Sequence, residues 1–142
     1  MRGDQEIVVV VRRDGAFLVL RRAPERFGYW SLVAGGLEPD ETPREAAQRE
    51  LLEETGLRAE VQEVPVALTY SLLDDPPAIR ARYAPGVETV TVHAFVAEAP
   101  EGWEPTLDAE HDVHRWCDLE AALALLPYAT TRDAVRGAAR RP

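Results

Sequence analysis

Three glutamates, Glu50, Glu53 and Glu54, are the residues of this sequence best placed to do chemistry. They lie in a segment with sharp helix limits. Thr42 is a good N-cap, Pro43 suits the first helical position, and Glu45 completes a capping box. Gly56 stands where a left-handed stop is expected. These signals predict a helix from about Pro43 to Thr55. At about 100° per residue, the three glutamates fall within one arc of about 100°. Ala46, Ala47 and Leu51 lie in or beside that arc, whereas Glu45, Gln48, Arg49 and Leu52 point elsewhere. A solvated acidic face would lie opposite the Ala and Leu residues, so these carboxylates are expected to face the body of the protein. Grouped there, they repel one another and need positive charge. Arg49 can neutralise one of them. A divalent cation suits the rest, because Mg²⁺ takes a few carboxylate oxygens, keeps waters and accepts substrate phosphates as further ligands.

The remaining elements must position that helix. Ile7 to Val11 is a β-branched run that reads as a buried strand, and Asp14-Gly15 signals a hairpin to a return strand over Ala16 to Leu20. Arg21 and Arg22 end it. Tyr29 to Ala34 predicts a short strand that enters a Gly35-Gly36 turn, where glycine permits unusual backbone angles and close approach of a ligand. Strands are also expected over about Ala59 to Glu63, Val66 to Leu72 and Thr89 to Ala97, and near His114 to Trp116. Asp74-Asp75 precedes two prolines and reads as a turn. Asp118 caps a helix over about Leu119 to Leu126, and Thr130 or Thr131 caps a last helix. Strands before and after a central helix, with more helix at the C-terminus, predict an α/β fold: a mixed β-sheet sandwiched between helices.

The 142 residues suit one domain with a proper core, and 46% hydrophobic with 29% charged residues are the proportions of a globular protein. A net charge of −9 argues against a nucleic-acid polymer as partner, but not against a small nucleotide, since bound metal reverses the local sign. All 16 basic residues are arginine, so side-chain contacts to phosphate must come from Arg, a hydroxyl or His. Cys117 is alone, which excludes an intrachain disulfide. No signal peptide or membrane-spanning run is visible, so a cytoplasmic location is expected. His111 and His114 beside Glu110 and Asp112 suggest zinc, but no second cluster completes a tetrahedral site.

Gly35, then Glu41, then Arg49-Glu50-Leu51-Leu52-Glu53-Glu54-Thr55-Gly56-Leu57 resembles the Nudix box, with every fixed position of its 23-residue pattern filled. The resemblance implies the Nudix fold and a Mg²⁺-dependent hydrolase acting on diphosphate linkages, with Mn²⁺ able to substitute. It implies Glu50 and Glu54 as metal ligands, the Gly35 carbonyl as another, Glu53 as ligand or base, and Glu110 as ligand or base from the opposite wall. Arg49 would orient the box glutamates, with Glu41 supporting it. Arg22 and Arg82 are the candidate phosphate contacts, Ala34 stands near the substrate, and Tyr83 is the candidate for stacking on its ring.

Tyr29 to Gly35, Arg82 to Val87, Glu110-His111, Arg115-Trp116 and Thr131-Arg132 resemble the branch of the family that cleaves dihydroneopterin triphosphate or a nucleoside triphosphate to monophosphate and pyrophosphate. Asp40 and Ala34 depart from that branch, which has Gly and a hydroxyl residue there. Rival readings are a hydrolase of ADP-ribose or another nucleoside diphosphate sugar, a hydrolase of oxidised dGTP, and a catalytically inactive nucleotide-sensing module. The sequence leaves the oligomeric state open.

Overall fold

The computed structural model describes residues 2–73 and 75–142. Its centre is a parallel pair of long strands, β1 (Gln5–Arg13) and β7 (Thr89–Glu98), in register from Gln5 opposite Thr91 to Arg12 opposite Glu98. Both strands carry apolar residues on both faces, as a strand covered on two sides must. Ile7, Val9 and Val11 meet Ala46, Ala47 and Leu51 of helix α1 (Pro43–Thr55) on one face. Val8 and Val10 meet Ala122 of α3 (Leu119–Leu125) and Ala134, Val135 and Ala138 of α4 (Ala129–Arg140) on the other. The expected mixed sheet between helices is the observed architecture.

The free edge of β1 is shared by two strands. β2 (Ala16–Arg22) pairs with Arg12 and Arg13, across a turn in which Asp14 and Gly15 both take positive φ. β4 (Val33–Gly36) pairs antiparallel with Glu6 to Val9. The run predicted as one strand from Tyr29 to Ala34 is therefore two. β3 (Trp30–Ser31) pairs with β2, and the chain changes partner at Leu32 before β4 joins β1. β8 (His111–Cys117) pairs with the outer side of β2, while β5 (Gln62–Glu63) and β6 (Leu68–Ser71) lie along β7.

Four expectations are corrected. Gly35 and Gly36 belong to strand β4 rather than to a turn, and neither has positive φ. The strands expected over 59–63 and 66–72 shrink to β5 and β6, because Pro65 has no N–H to give the ladder and interrupts pairing between them. A short helix, α2 (Pro77–Arg80), begins at the second of the two prolines read with Asp74-Asp75 as a turn, with Pro77 at its first position. Helix α4 starts after Tyr128 without a side-chain cap; the Thr131 hydroxyl instead donates to the Tyr128 carbonyl at 3.1 Å. Asp74 lies outside the described residues, so the turn read at Asp74-Asp75 is not assessed there.

Candidate active site

Helix α1 forms as its caps dictate. The Thr42 hydroxyl accepts from the Glu45 N–H, the Glu45 side chain accepts from the Thr42 N–H, and Gly56 closes the helix at φ 81°. Such a cap contributes about 1 kcal/mol. Asp40 takes φ 63° in the turn before it, a conformation Asp tolerates better than most residues. The buried face of α1 is Ala46, Ala47, Leu51, Glu54 and Thr55. Two of the three glutamates therefore turn inward as the wheel predicted: the Glu54 side chain is 3% exposed and that of Glu50 is 15%. Glu53, at the edge of the arc, is 55% exposed.

Glu50 lies against Gly35. A Cβ at position 35 would stand 2.3 Å from Glu50 Oε1 and 2.5 Å from Cδ. Glycine is needed here to make room for a carboxylate, not to reach an unusual backbone angle. The Ala34 N–H points at Glu54 Oε1, 3.4 Å away, so strand β4 meets both inner glutamates through its backbone.

Arg49 gathers the network. It grips Glu41 with two parallel bonds, Nε to Oε2 at 2.8 Å and Nη2 to Oε1 at 2.9 Å. Nη1 donates to Glu50 at 2.7 Å and approaches Glu53 at 3.4 Å, and Nη2 also donates to the Gly36 carbonyl. This arginine lowers the Glu41 carboxyl below its ordinary value. Glu50 is thus paired and Glu54 is not. Burial, then the carboxylates of Glu50 and Asp108, push Glu54 well above its ordinary value, and Glu54 Oε2 has no partner among the described residues.

The other wall is β8. Arg21 pairs with Val113 but Arg22 pairs with His111, so Asp112 is an extra residue, bulged out and held by Arg21 at 3.0 Å. A bulge re-aims the side chains beyond it. Beyond this one, His111 is buried, with Nε2 3.7 Å from Glu54 Oε1 and Nδ1 2.9 Å from Asp108 Oδ1. The sequence offered His111 only as a zinc candidate and left Asp108 in a surface loop; that the two meet beside Glu54 was not foreseen, because alternation along the strand fails at a bulge. Glu110 is not brought to Glu54: its carboxylate is 39% exposed and faces Arg26 at 3.6 Å.

Arg22 is 7% exposed, donates from Nε to the Arg26 carbonyl, and leaves Nη2 without a partner among the described residues. Its guanidinium stands 5.5 Å from the Tyr29 ring centre. Arg82 is lowered by burial and then by the nearby charges of Arg2 and Arg22, so three arginines share one neighbourhood. Tyr83 does not fit its predicted stacking role. It is 5% exposed, and its hydroxyl donates to Glu6 Oε2 at 2.7 Å. A ring packed in the core has no face for a ligand.

Among the described residues, no three His, Cys, Asp or Glu side chains form a ready metal cage. The 110–114 segment therefore brings no such cluster together among the described residues, and Mg²⁺ is an ion that seldom uses an all-protein cage. The paired Glu50, the orphaned Glu54 Oε2 and the Gly35 cradle form an oxygen donor set that fits such an ion.

A mixed sheet between helices, with this acidic helix packed on its central strands, defines an α/β protein of the Nudix type. The chain belongs to the Nudix family: the NUDIX domain model matches residues 1–136. It is 36% identical to the octanoyltransferase of Myxococcus xanthus over 125 residues, which cover 88% of this chain but only 32% of that protein. It is 30% identical to the CTP pyrophosphohydrolase of Escherichia coli K12, covering 87% of this chain and 82% of that one. The structure of the E. coli dihydroneopterin triphosphate pyrophosphohydrolase superposes with a TM-score of 0.82 at 27% identity, covering 94% of this chain and 92% of that chain. Among the described residues, no helix is long and apolar enough to cross a membrane.

Proposed function

We propose that the chain is a Mg²⁺-dependent pyrophosphohydrolase that converts a nucleoside triphosphate or dihydroneopterin triphosphate to the monophosphate and pyrophosphate. One observation carries this reading: a buried, unpaired carboxylate, Glu54, beside a paired one, Glu50, in a chain whose relatives are named pyrophosphohydrolases. Glu50 and Glu54 would hold the ion, with the Gly35 carbonyl and Glu53 as further ligands, and Mn²⁺ substituting. When bound, the ion supplies charge neutralisation for phosphate oxygens and lowers the pKa of a bound water.

The chain's own groups do the rest. Arg49 fixes the Glu50 carboxylate, and Glu41 fixes Arg49. Glu53, exposed and loosely held by Arg49, would be the group that takes a proton from the attacking water. Glu110 keeps that role as the alternative only if it leaves Arg26. Arg22 and Arg82 offer positive charge to the outer phosphates, and the unpaired Arg22 Nη2 is the group most in need of such a partner. Phosphoryl-type transfer depends mainly on such positioning and charge.

The test is product analysis with Mg²⁺ on dihydroneopterin triphosphate, dATP, CTP, oxidised dGTP, ADP-ribose and a dinucleoside polyphosphate. Pyrophosphate released fastest from one of the first three supports the proposal. AMP from ADP-ribose as the main reaction keeps the box chemistry and discards the substrate. Binding without turnover on the whole panel marks a sensing module.

A further inference from the structure

We infer that His111, latched by Asp108, is a positioning residue that holds one oxygen of the Glu54 carboxylate so that the other is presented to a divalent cation. The inference rests on the metal reading above.

Three buried side-chain atoms lack a partner among the described residues: Arg22 Nη2, Glu54 Oε2 and His111 Nε2. The last two belong to residues that face each other. A buried polar atom without a partner is costly, so two of them in one place indicate an unfinished arrangement rather than a packed one. The two Glu54 oxygens have different surroundings. Oε1 has the Ala34 N–H at 3.4 Å on one side and His111 Nε2 at 3.7 Å on the other, while Oε2 has nothing. A distance of 3.7 Å is just beyond hydrogen-bond length, and a small turn of either side chain closes it. Catalytic contacts are commonly this long before the ligand arrives.

The imidazole cannot swing freely to make or lose that contact. Its Nδ1 is held by Asp108 at 2.9 Å, and the Asp108 carbonyl accepts from the His111 N–H at 3.4 Å, so the turn before β8 is closed twice by the same pair. The His111 side chain is 1% exposed. The β2–β8 bulge delivers this residue to the face of α1, and the Ala23 N–H bonded to the Glu110 carbonyl at 2.8 Å fixes where β8 begins. A histidine with one nitrogen on a carboxylate and the other on a candidate metal ligand has the geometry of a support that orients the ligand. Loss of such a support costs about 10- to 100-fold in metal affinity.

The test is calorimetric titration of the intact protein with Mn²⁺ alone, with thermal melting of each variant alongside. His111→Phe keeps a ring but no nitrogen. It is expected to weaken Mn²⁺ binding about 10-fold or more with little change in Tm, and His111→Gln, which returns a polar group, to recover part of that loss. Asp108→Ala is expected to weaken binding severalfold, and Asp108→Asn, which keeps a hydrogen-bonding side chain opposite Nδ1, to lose less. This second pair decides the matter if His111→Phe does not fold. Wild-type affinity in His111→Phe or in Asp108→Ala overturns the inference, as does a loss that His111→Gln leaves unrecovered. Wild-type protein that fails to bind Mn²⁺ rejects the metal reading itself, a distinct outcome that takes this inference with it.

Discussion

Two glutamates of this protein are almost equally buried and have opposite surroundings. Glu6, in β1, is 7% exposed, and Glu54, in α1, is 2% exposed. Both Glu6 oxygens are engaged: Oε1 by the Tyr70 hydroxyl, and Oε2 by the Tyr83 hydroxyl at 2.7 Å and Arg2 at 2.9 Å. The two tyrosine hydroxyls also meet at 2.6 Å. Burial and then Glu6 push both phenols up, so they remain neutral donors. Glu54 has the Ala34 N–H at 3.4 Å and His111 Nε2 at 3.7 Å on one oxygen, a neighbouring Glu50 of like charge, and no partner among the described residues for the other oxygen. Burying an ionised carboxylate is expensive unless it is bonded and paired. At Glu6 the protein meets that cost with its own donors. At Glu54 no described residue completes the set, which is the difference the proposed metal site draws on.

The largest effect should come from the unsatisfied glutamate. Glu54→Gln is expected to lower kcat by at least about 100-fold, since it deletes a charge from the proposed metal site. It should leave Tm unchanged or raised, because it removes an unpaired buried charge. Steady-state rates and a melting curve check both halves, and near-normal turnover in the folded variant would erase the contrast with Glu6. The satisfied glutamate should behave in the reverse sense. Glu6→Ala strands two buried hydroxyls and Arg2, and a broken buried network costs about 3 kcal/mol. A fall of about 10 °C or more in Tm is expected, with turnover per folded molecule within a few-fold of normal.

That contrast was half legible in the chain. The caps and wheel of α1 predicted its ends and placed Glu50 and Glu54 inward, because helix limits and periodicity are local properties. The Glu6 network was invisible. Its members lie 64 and 77 positions apart, and no local pattern announces that Tyr70 and Tyr83 meet one carboxylate. The same holds for Tyr83, assigned to a ligand and found in the core. His111 was weighed only as a zinc ligand, and its place beside Glu54 was not legible, because the bulge at Asp112 breaks the alternation from which a strand's faces are read. Gly35 was marked for its backbone freedom, whereas the structure uses it for the space its missing side chain leaves.

Gly35→Ala sharpens the comparison from the packing side. The atoms its Cβ would strike are Oε1, Cδ and Cγ of Glu50, all side-chain atoms, so the side chain and not the backbone is what must move. Stability should therefore change by less than about 1 kcal/mol, as for a surface adjustment. The displaced carboxylate would lose its place beside Glu54, and a fall of about 10-fold in kcat is expected from a misplacement of this size. Equal losses in Tm and activity would show instead that β4 itself had shifted.

The smallest effect is one of pH, and it isolates Glu54 without disturbing its neighbours. Its folded carboxyl lies well above the ordinary 4.5, owing to burial and then to Glu50 and Asp108. Above pH 4.5 the unfolded chain has released this proton while the folded chain still holds it. The folded state then binds more protons, so this group makes stability fall as pH rises from 4.5 towards the raised folded value. Paired carboxylates such as Glu41 and Asp112, which are lowered, contribute with the opposite sign at more acid pH. The informative quantity is thus the difference between wild type and Glu54→Gln across the weakly acid range, measured in metal-free buffer. Glu54→Gln should gain on the wild type as pH rises, and saturating Mg²⁺ should cancel that gain by supplying the charge the site lacks. Parallel pH profiles for wild type and Glu54→Gln would mean that Glu54 carries no cost in the folded protein, and the distinction between the two glutamates would fall.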